Sequence, residues 1–307
     1  MATYTTPSGN VSALYDHIAH QTHVLIGGTS GSGKSVAVRG ILNTLLFRPF
    51  CDCPGSAEFI LIDPKGTELV EFKKSPHCIR YASAASAGDM LSALLLAEKL
   101  TTDRFYAMQC DPSKMDERHY YVGSDVWVVI DELADLMTTQ GAEVKPLLQR
   151  IGQIGRAARV HLLACTQCPI VKVIPTEIKV NFDAILALRT RSAQDSRNII
   201  GEKGAETFPR YGKAMYQNPD DPQNVTVNVP YVDEAETRRL VDHWRAQFSA
   251  RELRESDRLI EVPSQRTESP NSALNTSGHS LCHRIGNRLK SLVSALVIGY
   301  TIFSLLV

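Results

Sequence analysis

His23-Val24-Leu25-Ile26-Gly27-Gly28-Thr29-Ser30-Gly31-Ser32-Gly33-Lys34-Ser35 is the stretch that decides the fold. The apolar run Val24 to Ile26 predicts a short buried strand that stops at glycines. Apolar residues at Val36, Ala37, Ile41, Leu42 and Leu45 then predict a helix. From Gly28 to Ser35 the spacing is G-x-x-x-x-G-K-[ST], that of a phosphate-binding loop. Glycines let the backbone take positive φ and curl without Cβ clashes. The curl turns successive N–H groups inward as an anion nest, and the following helix adds its positive N-terminal end. The candidate nucleotide contacts are therefore Gly28, Thr29, Ser30, Gly31, Ser32, Gly33, Lys34 and Ser35. In such a loop the position of Lys34 faces the β- and γ-phosphates of ATP, and that of the Ser35 hydroxyl faces Mg²⁺. A flexible Gly/Ser linker would match the same letters, but a linker rarely lies between a strand and a helix.

The totals bound what surrounds this loop. At 307 residues the chain exceeds the usual single domain, which suits one large α/β domain with extra segments. Its 33 basic residues are balanced by 33 acidic ones, so no global positive field marks a nucleic-acid partner. A local basic surface, or a channel built by several subunits, stays open. Seven scattered cysteines, an odd count without a secretory signal, predict free thiols. Cys51-x-Cys53 and Cys165-x-x-Cys168 have the spacing of metal half-sites. However, Cys165 directly follows a strand run, where a buried thiol is ordinary, and structural zinc needs four converging ligands.

Two further strands end in charged residues. Phe59 to Ile62 leads into Asp63-Pro64-Lys65-Gly66, a buried strand ending in a tight turn. Asp63 and Lys65 would lie where open α/β sheets bind ligands, or would form a surface turn. After a long helix over 86–109, Val126 to Ile130 delivers Asp131-Glu132, which has Walker B form. Asp131 is the candidate for the Mg²⁺ shell and Glu132 for the general base that polarises water. About 100 residues after a phosphate loop, with strands between, this string is specific.

The later segments continue the alternation. Residues 133–159 predict a helix, a polar break at Thr138 to Gly141 and a second helix. Its Lys145, Arg150, Arg156 and Arg159 face either DNA phosphates or solvent. His161 to Ala164 predicts a strand, after which Gln167 either senses the γ-phosphate or water, or satisfies a loop amide. A strand over 184–190 leads past Arg189 and Arg191 into a helix carrying Arg197. A strand pair over 213–217 and 225–232 precedes a helix over 233–248.

The expected organisation is a polar lead at 1–22, an ATPase domain at 23–250, a flexible linker at 251–282 and a hydrophobic helix at 283–307. The lead carries no signal or membrane span. The linker expectation rests on charge followed by Ser, Asn, Thr and Pro. Ser291 to Val307 is uncharged and as a helix would span roughly 26 Å, against roughly 30 Å of hydrocarbon. Arg284, Arg288 and Lys290 before it would hold the remainder on the cytoplasmic side, at the inner face of the cell membrane. A soluble partner helix is the alternative.

From His23 to Phe248 these motifs resemble the FtsK/SpoIIIE family of DNA-pumping ATPases. The likeness rests on the phosphate loop, Asp63-Pro64-Lys65-Gly66-Thr67-Glu68-Leu69, Asp131-Glu132-Leu133-Ala134-Asp135-Leu136-Met137, Ala164-Cys165-Thr166-Gln167, Asp195-Ser196-Arg197 and Gly204-Ala205-Glu206. The resemblance implies an α/β, RecA-like P-loop NTPase with a mostly parallel central sheet flanked by helices. It also implies a homo-oligomeric ring, usually hexameric, around double-stranded DNA, with ATP between subunits and an arginine supplied by the neighbour. Arg197 matches the Asp-Ser-Arg string, and Arg189 and Arg191 are the alternatives. This chain departs from the family at Cys168, where an arginine is usual, at Cys165, and at the missing arginine near Ile185. On this reading neither an orientation-reading winged helix nor an N-terminal membrane bundle is expected. The expectation is therefore an ATP-driven translocase for DNA transfer, of conjugative or mobile-element type, rather than for chromosome segregation. Since related domains power protein export, a secretion motor is the alternative.

Overall fold

The computed structural model describes residues 13–48, 55–84, 87–167, 174–218 and 223–260. Residues up to Ser256 belong to one compact unit, and the last described turn, 257–260, belongs to a second.

The strands are β1 (His23–Gly27), β2 (Ala57–Asp63), β3 (Cys78–Ser83), β4 (Asp125–Ile130), β5 (Val160–Thr166), β6 (Ala184–Ala187), β7 (Lys213–Gln217) and β8 (Val225–Asn228). They form one sheet in the order β3-β2-β4-β5-β1-β6-β7-β8. The pairings from β3 to β6 are parallel; β7 and β8 add antiparallel pairings at one edge. Every residue of β1 and β4 is buried, as expected of parallel strands covered on both faces.

Alternate side chains of each strand enter opposite layers. Leu25, Ile60, Val128, Ile130 and Leu162 pack with Leu94, Leu136, Leu148 and Ile151, which lie on α3 (Ala87–Cys110) and α4 (Leu133–Ala158). Val24, Ile26, Phe59, Trp127 and Leu163 pack on the other face with Tyr15, Ile41, Leu42, Leu240 and Val241. These come from α1 (Ala13–Ile18), α2 (Lys34–Leu45) and α7 (Glu234–Ile260). The predicted α/β sandwich with a mostly parallel sheet is thus the observed fold. The expected break in α4 falls at Gln140, whose φ of −137° is non-helical.

Four boundaries differ from the sequence reading, each for a local reason. β3 is an edge strand of mostly half-buried residues, so it carries no apolar run. β6 ends at Ala187; beyond it Leu188 N–H donates to Gly27 O of β1 at 2.8 Å, and Arg189 O turns to the phosphate loop, accepting from Thr29 N–H at 2.9 Å. β8 stops at Asn228; Val229 N–H already donates to Gly212 O, and Pro230 has no N–H to continue a ladder. α7 continues to Ile260, into the segment expected to be linker. The proposed apolar helix at 283–307 and Cys51, Cys53 and Cys168 lie outside the described residues. Among the described residues, no helix is long and apolar enough to cross a membrane.

Candidate active site at the carboxyl edge of the sheet

Strand register brings the loop and the acidic pair to one edge. Gly27 at the tip of β1 lies opposite Thr166 of β5, and Ala164 of β5 lies opposite Ile130 of β4. Gly28, Gln167 and Asp131 therefore leave the sheet side by side, with β1 and β4 two strand spacings, roughly 10 Å, apart.

The loop has the backbone its glycines predicted. Gly28 has φ +157°, and a Cβ there would stand 2.7 Å from Ser32 Oγ. Gly33 caps α2 at φ +100° and gives no side-chain hydrogen bond to the helix. The first N–H groups of α2 thus have no capping side chain, the arrangement that receives anions. Ser32 Oγ is buried without a hydrogen-bond partner. That orphaned hydroxyl and the uncapped helix end both fit a bound phosphate chain. Lys34 is buried, and its Nζ donates to Gly28 O and Thr29 O, each at 2.9 Å. Burial lowers its pKa, while Cys165, Glu132 and Asp131 pull the other way, so the ammonium lies within electrostatic reach of both acids.

Asp131 is buried, and among the described residues no hydrogen bond reaches its carboxylate. Burial first, then the charges of Glu68 and Asp63, push its pKa up to about 7; Lys65 opposes them and Glu132 adds to them. An unsatisfied carboxylate amid like charges fits a divalent cation. Among the described residues no group of three or more His, Cys, Asp or Glu could hold a metal alone. Mg²⁺ takes one or two protein oxygens and completes its shell with water and phosphate. Ser35, in the first turn of α2, and Asp131 are the residues that would hold it.

The raised pKa also makes a stability prediction. The folded Asp131 keeps its proton up to about pH 7, whereas the unfolded residue ionises near 3.8. The stability linked to that proton is full below about pH 4 and is lost as pH rises through 7. Asp131→Asn should therefore exceed the wild type in stability at pH 8, without nucleotide and in EDTA, by about 2–4 kcal/mol. The gap should close near pH 4. Urea titrations at both pH values measure it, and equal stabilities at pH 8 would contradict the buried charge.

Glu132 is the N-cap of α4. Its Oε1 accepts from Ala134 N–H at 3.3 Å and from Gln167 N–H at 3.1 Å, and its Oε2 accepts from the same Gln167 N–H at 3.1 Å. Burial raises its pKa, while the two backbone donors and Lys34 restrain the rise. The tip of β5 thus holds the second acid in place through the Gln167 backbone.

Asp63 is fully buried. It accepts from the N–H groups of Gly66, Glu68 and Leu69 at 2.9–3.0 Å and from Tyr81 OH at 3.2 Å. Of the two sequence readings, the carboxylate matches the turn builder, while Lys65 remains exposed with its charge felt at Asp131. Asp63→Ala would leave the buried Leu69 N–H and the half-buried Glu68 N–H without their acceptor and should lower folding stability by about 2–4 kcal/mol in urea. A loss within 0.5 kcal/mol would refute this role.

The arginines divide. Arg189, Arg191 and Arg197 are exposed, and the Arg189 carbonyl accepts from Thr29 N–H at 2.9 Å, which fastens the loop from β6. Arg159 is half-buried and its guanidinium is spent within the fold, on Tyr121 O, Asp125 and Asp116. Lys145 pairs with Glu177, and Arg156 donates to Tyr120 OH. Sequence reading missed Arg210, whose Nε donates to Gly31 O at 3.3 Å, and Tyr211 beside it. No motif marks them; only their place before β7 does.

The fold and this edge define a P-loop ATPase. The chain belongs to the FtsK/SpoIIIE family: the family model matches residues 8–121 and 114–171, together 164 of the 307 residues. DNA translocase FtsK of Mesorhizobium japonicum is 31% identical over 274 residues, covering 78% of this chain and 30% of that protein. This chain spans about a third of the length of the curated relatives it matches. Among solved structures, the pCW3 conjugation coupling protein TcpA, in a monomer form with ATPγS, has TM-score 0.60 at 22% identity. The alignment covers 73% of this chain and 65% of that one. The cytoplasmic domain of the Thermomonospora curvata type VII secretion ATPase EccC has TM-score 0.60 at 21% identity, covering 73% and 28%. At these identities the structural likeness is one of fold.

Proposed function

We propose that this chain hydrolyses ATP to drive double-stranded DNA through a homo-oligomeric, hexameric ring, serving DNA transfer. The observation that carries the ATPase part is the meeting of Lys34, Asp131 and Glu132 at one sheet edge. DNA as cargo draws on the family and on the relatives named DNA translocase. In this reading Lys34 Nζ exchanges its two loop carbonyls for β- and γ-phosphate oxygens. Glu132 takes the proton of the attacking water, and Gln167 registers the γ-phosphate. Asp131 and Ser35 hold Mg²⁺, which when bound neutralises charge on the phosphate oxygens. Arg197, or else Arg189 or Arg191, enters a neighbour's site. The segment Ser291 to Val307 anchors the ring at the inner face of the membrane.

The test is the ATPase rate with and without long duplex DNA, over a range of salt. DNA should raise turnover several-fold at low salt, and the effect should fade steeply as salt releases the phosphate contacts. A rate indifferent to DNA but raised by an exported peptide would instead favour a secretion motor.

A further inference from the structure

We propose that Arg210 and Tyr211 form a base-binding clamp over the phosphate loop of their own subunit. The Tyr211 ring takes the face of the nucleotide's purine, and Arg210 holds that ring in position. The inference rests on the nucleotide reading of the loop and adds residues to which neither motif nor family membership gives a role.

The geometry is specific. Arg210 is tied to the tip of the loop through Gly31 O, and its guanidinium nitrogen lies 2.7 Å from where a Cβ on Gly31 would stand. The same guanidinium lies over the Tyr211 ring, 5.3 Å from its centroid. Tyr211 Cδ1 in turn lies 4.0 Å from the Cβ position of Gly33, the residue that opens α2. The pair is framed by Pro209, with its fixed φ, and by Gly212 at φ +84°, whose carbonyl is bonded by Val229 N–H. The segment is thus fixed at both ends and cross-linked to the loop.

Tyr211 is nevertheless 60% exposed. A large aromatic ring paired with a cation, yet left open to water, has a flat face free to stack. A triphosphate in the nest binds through its anionic end, so its nucleoside must extend over the open rim of the loop. The Tyr211 ring stands at that rim, within van der Waals reach of the Cβ position of Gly33 and paired with Arg210.

Isothermal titration of the full chain with ATP and with inorganic tripolyphosphate, both with Mg²⁺, separates base contacts from phosphate contacts. Tyr211→Ala should weaken ATP about tenfold, the scale of one base–aromatic stack, and change tripolyphosphate less than about twofold. Tyr211→Phe should restore ATP affinity. Arg210→Ala should weaken ATP several-fold with the same sparing of tripolyphosphate. Wild-type affinity for ATP in Tyr211→Ala would overturn the clamp, as would equal losses for both ligands in either alanine variant. A wild-type chain that binds neither ligand would instead defeat the nucleotide reading itself.

Discussion

Glu132→Gln is expected to bind ATP and to cleave it roughly 10²–10⁴-fold more slowly than the wild type, the range of a lost general base. The substitution keeps the local scaffold. An amide oxygen in the Oε1 position still accepts from Ala134 N–H and Gln167 N–H, so α4 keeps its cap, while the NH2 in the Oε2 position gives up the second contact to Gln167 N–H. What disappears is a buried carboxylate whose pKa burial has raised, and therefore a stronger proton acceptor than a solvated glutamate. The sign follows for pH: the wild-type rate should fall as acid protonates Glu132, and the variant should lose that contribution, keeping only the acid limb that protonation of Asp131 imposes. Single-turnover cleavage alongside nucleotide titration separates the two effects. A variant that cleaves within about threefold of the wild type would remove Glu132 from the chemistry and leave it only the cap of a helix.

The same residue shows how much of the site the sequence carried. Asp131-Glu132 after a buried run was legible because a central parallel strand is apolar on both faces and ends abruptly where the polar edge begins. Gly28 to Ser35 was legible because each glycine answers a steric demand, now visible as positive φ at Gly28, Gly31 and Gly33. Composition cannot state which hydrogen bonds a carboxylate makes. Asp63 and Asp131 both end buried strands, yet Asp63 spends itself on three backbone donors and a tyrosine, while no hydrogen bond from the described residues reaches the Asp131 carboxylate. Nor could spacing bring Arg210 to Gly31, 179 positions away, since only the β6–β7 return folds that segment over the loop. β3 escaped for the opposite reason. An edge strand bonded on one side needs little apolar surface, so Cys78 to Ser83 leaves no periodic trace.

Lys34→Ala should lower turnover by at least roughly 10²–10³, the loss expected for one preorganised donor at a reacting charge, and should weaken ATP binding as well. The fold itself should tolerate the change. Nζ now serves the carbonyls of Gly28 and Thr29, but the loop is also held by Thr29 N–H on Arg189 O and by Ser32 N–H on Thr29 O. Burial lowers the Lys34 pKa, so removing the ammonium also removes an unfavourable desolvation. Urea midpoints of variant and wild type should accordingly lie close together while the rates diverge. Lys34→Arg should not rescue turnover, because a planar, delocalised guanidinium does not replace a compact ammonium point charge. Set beside Glu132→Gln, the alanine variant divides the edge into its two halves. Loss of grip should follow the lysine on the loop after β1, and loss of cleavage with grip intact should follow the glutamate after β4. Turnover within about tenfold of wild type in Lys34→Ala would mean that the loop does not hold the hydrolysed phosphate, whatever else converges on that edge.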